Sequence, residues 1–264
     1  MKKTFYLGID VGGTKTRGVL LDRFQNRRLF AFQAKTPKNR KLFLEILEKE
    51  VRKILQKRKI IGIGVGLPGI VDVKRGMLIK APNLPFLNGW PAKKFLKKFR
   101  IKTKFDNDSR CFLRGEAFLG AGKKYKNIIA LTVGTGIGGG IMINRKIYYG
   151  KNFGAGEFGH MVIDGKGILE KAGGKEAFLK KKNYHQIIGI GIADLVNAFD
   201  PEVVILGGGP VITGNIKIEK LKKIAQKSIM SPLAKRTPII KGKLKDDAQA
   251  IGAALLFKNK NDNY

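Results

Sequence analysis

The chain has 264 residues, 43% of them hydrophobic, with one cysteine and 53 Lys and Arg against 20 Asp and Glu, a net charge of +33. That length allows one large domain or two modest ones with a sizeable core, and the lone Cys111 excludes both a disulfide framework and a cysteine-rich zinc site, in keeping with a reducing cytoplasm. No apolar run is long enough for a membrane span, and the scattered basic residues read either as solvated faces or as a field that attracts polyanions nonspecifically.

Met1-Lys2-Lys3 and Phe5-Tyr6-Leu7 imitate the start of a signal peptide, but Asp10 interrupts the apolar run. From Leu7 to Leu20 the pattern predicts a strand, a turn at Gly12-Gly13-Thr14 and a second strand. Gly12 and Gly13 let backbone N–H groups approach an anion, Thr14 adds a hydroxyl, Lys15 adds charge, and Asp10 can hold a divalent cation through water. The stretch is either a phosphate-and-magnesium corner or a tight hairpin with nothing bound. A Walker A loop is set aside, because Gly8 to Lys15 misses its spacing by one residue and no helix follows.

Arg27 to Phe32 predicts a third strand, Lys41 to Gln56 an amphipathic helix, and Ile60 to Val65 a buried strand running into Gly66-Leu67-Pro68-Gly69. Gly64 to Gly69 matches the dinucleotide spacing, but Pro68 and the apolar residues after it argue against a helix there. Gly69 is better placed to admit a ligand against the backbone. Ala81 to Pro91 is a proline-rich irregular segment in which Asn83 and Asn88 are sugar-hydroxyl partners or turn formers. After a short helix from Lys93 to Phe99, the strand Ile101 to Phe105 ends in Asp106-Asn107-Asp108-Ser109-Arg110 and opens the helix Cys111 to Leu119. A carboxylate at such a strand end is either catalytic or a helix N-cap.

The second half repeats the first. Ile128 to Ile143 is again a strand, a Gly/Thr turn and a strand, with the turn at Gly134-Thr135-Gly136, and this suggests an internal duplication. The irregular loop that follows places Glu157 and His160 three residues apart among glycines, close before Glu170. A helix from Ile187 to Phe199 and the strand Glu202 to Leu206 lead to Gly207-Gly208-Gly209, a turn that can accommodate a base or ribose. A helix Ile216 to Met230, a strand near Pro238 to Ile240 and a helix Ala248 to Leu256 complete the pattern.

In their order, Asp10 to Thr16, Gly66 to Asp72, Ala81 to Leu84, Asn107-Asp108, Leu131 to Gly140, Glu157-Phe158-Gly159-His160, Gly167 to Glu170 and Asp200 to Gly209 resemble the motifs of the ROK family of sugar kinases (repressor, open reading frame, kinase). The resemblance implies an α/β chain with the two-domain actin-like ATPase or ribonuclease H-like fold, a duplicated β-β-β-α-β-α topology and an interdomain cleft. Residues 1–106 would form the small N-terminal domain, with the last helix 248–264 packing back on it, and residues 107–247 the large domain.

Position by position, the resemblance makes Asp10, Gly12, Gly13, Thr14 and Lys15 the first phosphate loop, with Asp10 facing Mg2+ through water. It makes Gly134, Thr135 and Gly136 the second phosphate loop and Gly207, Gly208 and Gly209 the nucleotide turn. Gly69, Asn83, Asn107, Glu157, His160 and Glu170 become the sugar pocket, and Asp108 the catalytic base. Many family members carry a cysteine zinc motif between the histidine and the last glutamate. Here that link is short and has no cysteine, so no structural zinc is expected and Glu176 is the alternative to Glu170.

The implied activity is an ATP- and Mg2+-dependent hexose kinase acting on the glucose 6-hydroxyl, in a cytoplasmic homodimer. Polyphosphate is the alternative donor, since compact relatives without the zinc motif include polyphosphate-dependent glucokinases. Mannose, fructose or an N-acetylhexosamine are alternative acceptors. A sugar-responsive DNA-binding regulator is the distant alternative, although the first strand begins too close to Met1 to leave room for a reader helix.

Overall fold

The most apolar runs of the sequence become the central strands of two five-stranded sheets in a computed structural model that describes residues 3–163, 167–174 and 183–258. The chain divides into two compact units, Met1–Gly115 with Asp247–Tyr264, and Glu116–Asp246.

In the first unit, β1 (Thr4–Val11), β2 (Lys15–Asp22) and β3 (Arg28–Lys35) form an antiparallel meander, and β4 (Lys59–Leu67) and β7 (Thr103–Asn107) extend it in parallel, in the order β3-β2-β1-β4-β7. A small hairpin, β5 (Ile70–Asp72) with β6 (Met77–Lys80), stands apart from that sheet. It follows Gly69 where a dinucleotide fingerprint would need a helix. Its turn is stabilised by Asp72, whose Oδ1 accepts from the Arg75 N–H, and by Gly76 at φ +62. Parallel strands buried on both faces need near-continuous apolar sequence, and β4 has that from Gly62 to Leu67.

Helix α1 (Arg40–Lys57) starts where the Asn39 side chain accepts from the Leu42 N–H, and it buries Phe43, Leu47, Val51 and Ile54. Leu42, which fits the apolar spacing, is instead 46% exposed, because Phe43 takes the inward position against Trp90. Trp90 is further enclosed by Phe95 of helix α2 (Ala92–Leu96).

Strand β7 runs two residues past the expected Phe105 end, pairing Gly66 with Asp106 and Leu67 with Asn107 before helix α3 (Asp108–Leu119). A buried aspartate in a strand would ordinarily be penalised. Here Arg110 Nε and Arg114 Nη1 donate to its two oxygens at 2.6 and 2.9 Å.

The closing helix Ala248–Ala254 is built of small residues because it lies against glycines. A Cβ at Gly8 would overlap the Ala250 carbonyl, and one at Gly64 the Ala253 carbonyl. Its own Gly252 lies as close to the Cys111 carbonyl.

The second unit repeats the order. Strands β8 (Ile128–Val133), β9 (Ile137–Ile143), β10 (Lys146–Tyr148), β11 (Val203–Gly207) and β12 (Ile239–Lys241) form the sheet β10-β9-β8-β11-β12, again a meander extended by two parallel strands. Helices α4 (Leu169–Gly173), α5 (Tyr184–Phe199), α6 (Gly209–Ile212) and α7 (Ile218–Ser228) belong to this unit. The core sits where Ile188, Ile192 and Val196 of α5 and Leu221 of α7 meet Leu131, Val204 and Leu206 of the sheet. His185 is buried at the start of α5, where its Nε2 accepts from the Lys217 N–H at 3.0 Å. Among the described residues no helix is long and apolar enough to cross a membrane.

Candidate active site

In the first unit, three parallel strands end side by side, and chemistry-bearing side chains gather at that edge. Asp10 of β1 is in register with Gly66 of β4, which is in register with Asp106 of β7. Gly66 leaves room for the next turn of chain, because a Cβ there would lie 3.5 Å from Asp108 Cα. Asp10 and Asp108 both raise the pKa of the Cys111 thiol, after burial and Asp106, the larger causes. Cys111 is thereby a neutral, inert side chain.

Asn107 is the residue that caps α3. Its Oδ1 accepts from the N–H groups of Ser109 and Arg110 at 2.9 and 3.1 Å, while its Nδ2 donates to the Gly69 carbonyl at 3.0 Å. With the cap taken by Asn107, Asp108 turns its own Oδ1 to the neighbouring Ser109 N–H at 2.7 Å. Gly69 is held at φ +77, and a Cβ there would overlap the Lys80 carbonyl, so only glycine fits.

Beneath this corner lies the buried network of Asp106, Arg110 and Arg114, exposed by 0, 2 and 0%. Burial pushes the Asp106 carboxyl up, but the two guanidiniums outweigh it and hold the group below its ordinary value. This support was not foreseen as part of the site. Its signal is the four-residue spacing of Asp106, Arg110 and Arg114, which puts two cations on one face of the helix.

The first hairpin commits its carbonyls within the fold. Lys15 O accepts from Gly12 N, Gly12 O from Thr36 Oγ1 and Thr14 O from Thr36 N, at 3.1, 2.8 and 3.0 Å. Gly13, Thr14 and Lys15 are exposed at its tip, and Asn83 lies beside it, with its Cβ 3.8 Å from where a Cβ of Gly13 would stand. Asn88, by contrast, is a turn former: its Oδ1 accepts from the Ala81 N–H.

In the second unit the strand ends carry glycine. The turn after β8 closes with Gly134 N donating to Gly136 O at 2.8 Å. Beside it, Gly208 at the end of β11 has φ +95, and a Cβ there would overlap the Val133 carbonyl. The two predicted turns, Gly134 to Gly136 and Gly207 to Gly209, therefore meet at Val133.

Glu157 precedes and His160 ends a single turn of 3-10 helix, with Oε2 and Nδ1 3.9 Å apart and their side chains 41 and 59% exposed. Glu170 is part-buried against the second glycine turn, its Oε2 accepting from the Ile137 N–H at 2.9 Å. Glu176 lies outside the described residues. A half-open pocket of this unit, about 240 Å³ between Asn127, Ile129, Ile141 and Phe199, lies at the opposite end of β8, and its mainly apolar lining does not suit a sugar.

The first unit carries carboxylates at its strand ends beside an exposed Gly-Gly-Thr hairpin, and the second carries two glycine turns with the Glu170 carboxylate against one of them. Among the described residues no three His, Cys, Asp or Glu side chains gather as a metal cage. Asp10 at the strand edge is a donor of the kind that suits Mg2+, which keeps most of its waters and leans on one carboxylate and on substrate phosphates.

A family model described as "ROK family" matches residues 6–178 and 168–260. The chain is 28% identical to a xylose repressor of Caldicellulosiruptor bescii, over 93% of this chain and 76% of that protein. It is 25% identical to a glucokinase of Halalkalibacterium halodurans, over 100% and 98% respectively. Its structure is similar, with a TM-score of 0.86, to a ROK family glucokinase from Streptomyces griseus in complex with glucose and AMPPNP, at 23% identity and over 96% and 98% of the two chains. That likeness shows that the two α/β units share the fold of that structure.

Proposed function

The chain belongs to the ROK family, and from that premise we propose that it is a hexose kinase that transfers the γ-phosphoryl group of ATP to the 6-hydroxyl of glucose. The observation that carries the reading is the β7–α3 corner. Asn107 takes the N-cap, so that Asp108, the first residue of the helix, is left at the same strand edge as Asp10.

Phosphoryl transfer needs in-line placement, charge neutralisation and a base near the attacking hydroxyl, and little covalent chemistry. In this reading Asp108 accepts the hydroxyl proton as the sugar oxygen bonds to the γ-phosphorus and the bond to the β–γ bridging oxygen breaks. Gly69, Asn83, Asn107, Glu157, His160 and Glu170 supply the donors and acceptors that orient the sugar, and Asn107 also holds the Gly69 carbonyl in place. Gly12, Gly13, Thr14 and Lys15, with Gly134, Thr135 and Gly136, face the phosphates, and Gly207, Gly208 and Gly209 the nucleoside. Asp10 would hold Mg2+ through water, and the ion would neutralise charge on the transferring group.

The experiment is to incubate purified protein with glucose and Mg2+, with ATP in one arm and long-chain polyphosphate in the other, and to assay glucose 6-phosphate. Product with ATP is expected. Product in neither arm, from folded protein and across a panel of hexoses, would overturn the kinase in favour of a regulator.

The +33 charge favours a second reading, in which polyphosphate is the donor. It requires activity with polyphosphate to fall more steeply with salt than activity with ATP. Equal salt responses would count against it. A cytoplasmic homodimer is the assembly this reading implies, and sedimentation of the purified protein tests it.

A further inference from the structure

We infer that Glu170 couples the two halves of the reaction: without acceptor its carboxylate occupies a backbone amide that the donor phosphates require, and acceptor binding releases that amide. The inference rests on the hexose-kinase reading and adds to it an order of binding. The Ile137 N–H, which donates to Glu170 Oε2 at 2.9 Å, is the first amide beyond Gly134-Thr135-Gly136. A Cβ at Gly136 would overlap that same oxygen and lie 2.8 Å from Glu170 Cδ, so the carboxylate rests directly on the backbone of the turn.

The position is fixed from behind as well. Glu170 O accepts from Gly174 N, and Leu169 N donates to Met161 O, both at 2.8 Å. A Cβ at Gly159 would overlap the Ile137 carbonyl and lie 3.3 Å from Glu170 Cβ. The Glu157–His160 turn, Glu170 and the glycine turn are therefore one packed piece, with acceptor-side groups on one flank and phosphate-side amides on the other.

A carboxylate oxygen and a phosphate oxygen carry the same sign of charge and ask the same thing of an N–H group. One amide cannot serve both well, and the two anions repel at short range. Hydroxyls, in contrast, donate to a carboxylate. A sugar that engages Glu170 therefore draws its charge away from Ile137 and leaves the turn open to phosphate. Coupling of this kind is reciprocal: acceptor strengthens donor binding, and donor strengthens acceptor binding. It also keeps the phosphate site closed while only water is present as an acceptor.

The test is calorimetric titration of Mg2+ and AMPPNP into wild type, Glu170→Ala and Glu170→Gln, first without sugar and then at saturating glucose. Without sugar, Glu170→Ala is expected to bind AMPPNP about 5-fold more tightly than wild type or better. Glu170→Gln, which keeps an acceptor oxygen but no charge, falls between them and carries the test if the alanine variant does not fold. Glucose tightens AMPPNP binding to wild type and leaves the alanine variant nearly unchanged. Amide hydrogen exchange at Ile137 is faster in the alanine variant.

Unchanged sugar-free affinity would make Glu170 a sugar ligand alone, and weakened affinity would make it a scaffold of the turn. Either result overturns the inference while the kinase stands. AMPPNP binding to none of the three proteins, with or without glucose, would overturn both.

Discussion

The two units build the same sheet, with strands in the same order, and then furnish its edge in opposite ways. The first unit ends β1 near Asp10 and β7 at Asn107 and Asp108, and sinks two arginines beneath the corner to hold a buried aspartate. The second ends β8 at Gly134 and β11 at Gly207, with Gly208 pressed on the end of β8. Carboxylates can move protons and hold a hydrated cation, and bare backbone can approach an oxyanion. The two halves of a duplicated scaffold thus differ in the side chains at their strand ends, while the topology is the same.

The sharpest way to break that contrast is to remove the proposed base. Asp108→Asn should lower kcat for glucose phosphorylation about 10²- to 10⁴-fold with a smaller change in KM. A loss of only a few fold would mean that the carboxylate edge is not catalytic.

Next in size is the support under it. Asp106→Asn leaves Arg110 and Arg114 buried without their counter-charge, which should destabilise the protein by about 3–5 kcal/mol in denaturant titration. Because the folded carboxyl lies below its ordinary value of 3.8, its contribution is complete above that pH and is lost as pH falls through the folded value. The variant should lack that acid limb.

A smaller effect belongs to the glycine edge. Gly208→Ala forces a Cβ into the Val133 carbonyl at positive φ, for about 1–3 kcal/mol of stability. Nucleotide affinity should fall more than glucose affinity, and calorimetry of each ligand separates the two.

Smallest is His185. Burial, then Lys220 and Lys217, lower its pKa, so its folded form is neutral. The stability tied to it is complete above the ordinary value of 6.5 and declines as pH falls below that. His185→Gln should flatten thermal stability between pH 5 and pH 7, an estimate of about that range from the ordinary histidine titration.

Much of this architecture was legible in the sequence because it rests on local rules. Apolar alternation and glycine punctuation marked both hairpins at Gly12-Gly13 and Gly134 to Gly136, and their recurrence disclosed the duplication. What local rules missed was set by neighbours in space. Periodicity stopped the fifth strand at Phe105, since Asp106 looks like a turn residue. Only the partners Arg110 and Arg114, brought back by the helix, make it an interior strand position. The β5–β6 hairpin had no signal beyond Asp72 and Gly76, and its strands are too short for alternation to show.

Residue types and their order by themselves determined the two sheets, the glycine turns and the family. Tertiary structure alone decided that Asn107 rather than Asp108 caps the helix and that Glu170 rests on Ile137. Both are hydrogen-bond choices: one settles which of two adjacent side chains takes the amides, and the other joins residues 33 positions apart. Composition and spacing cannot rank such choices, because a carboxylate or amide satisfies whichever partner the packed backbone presents.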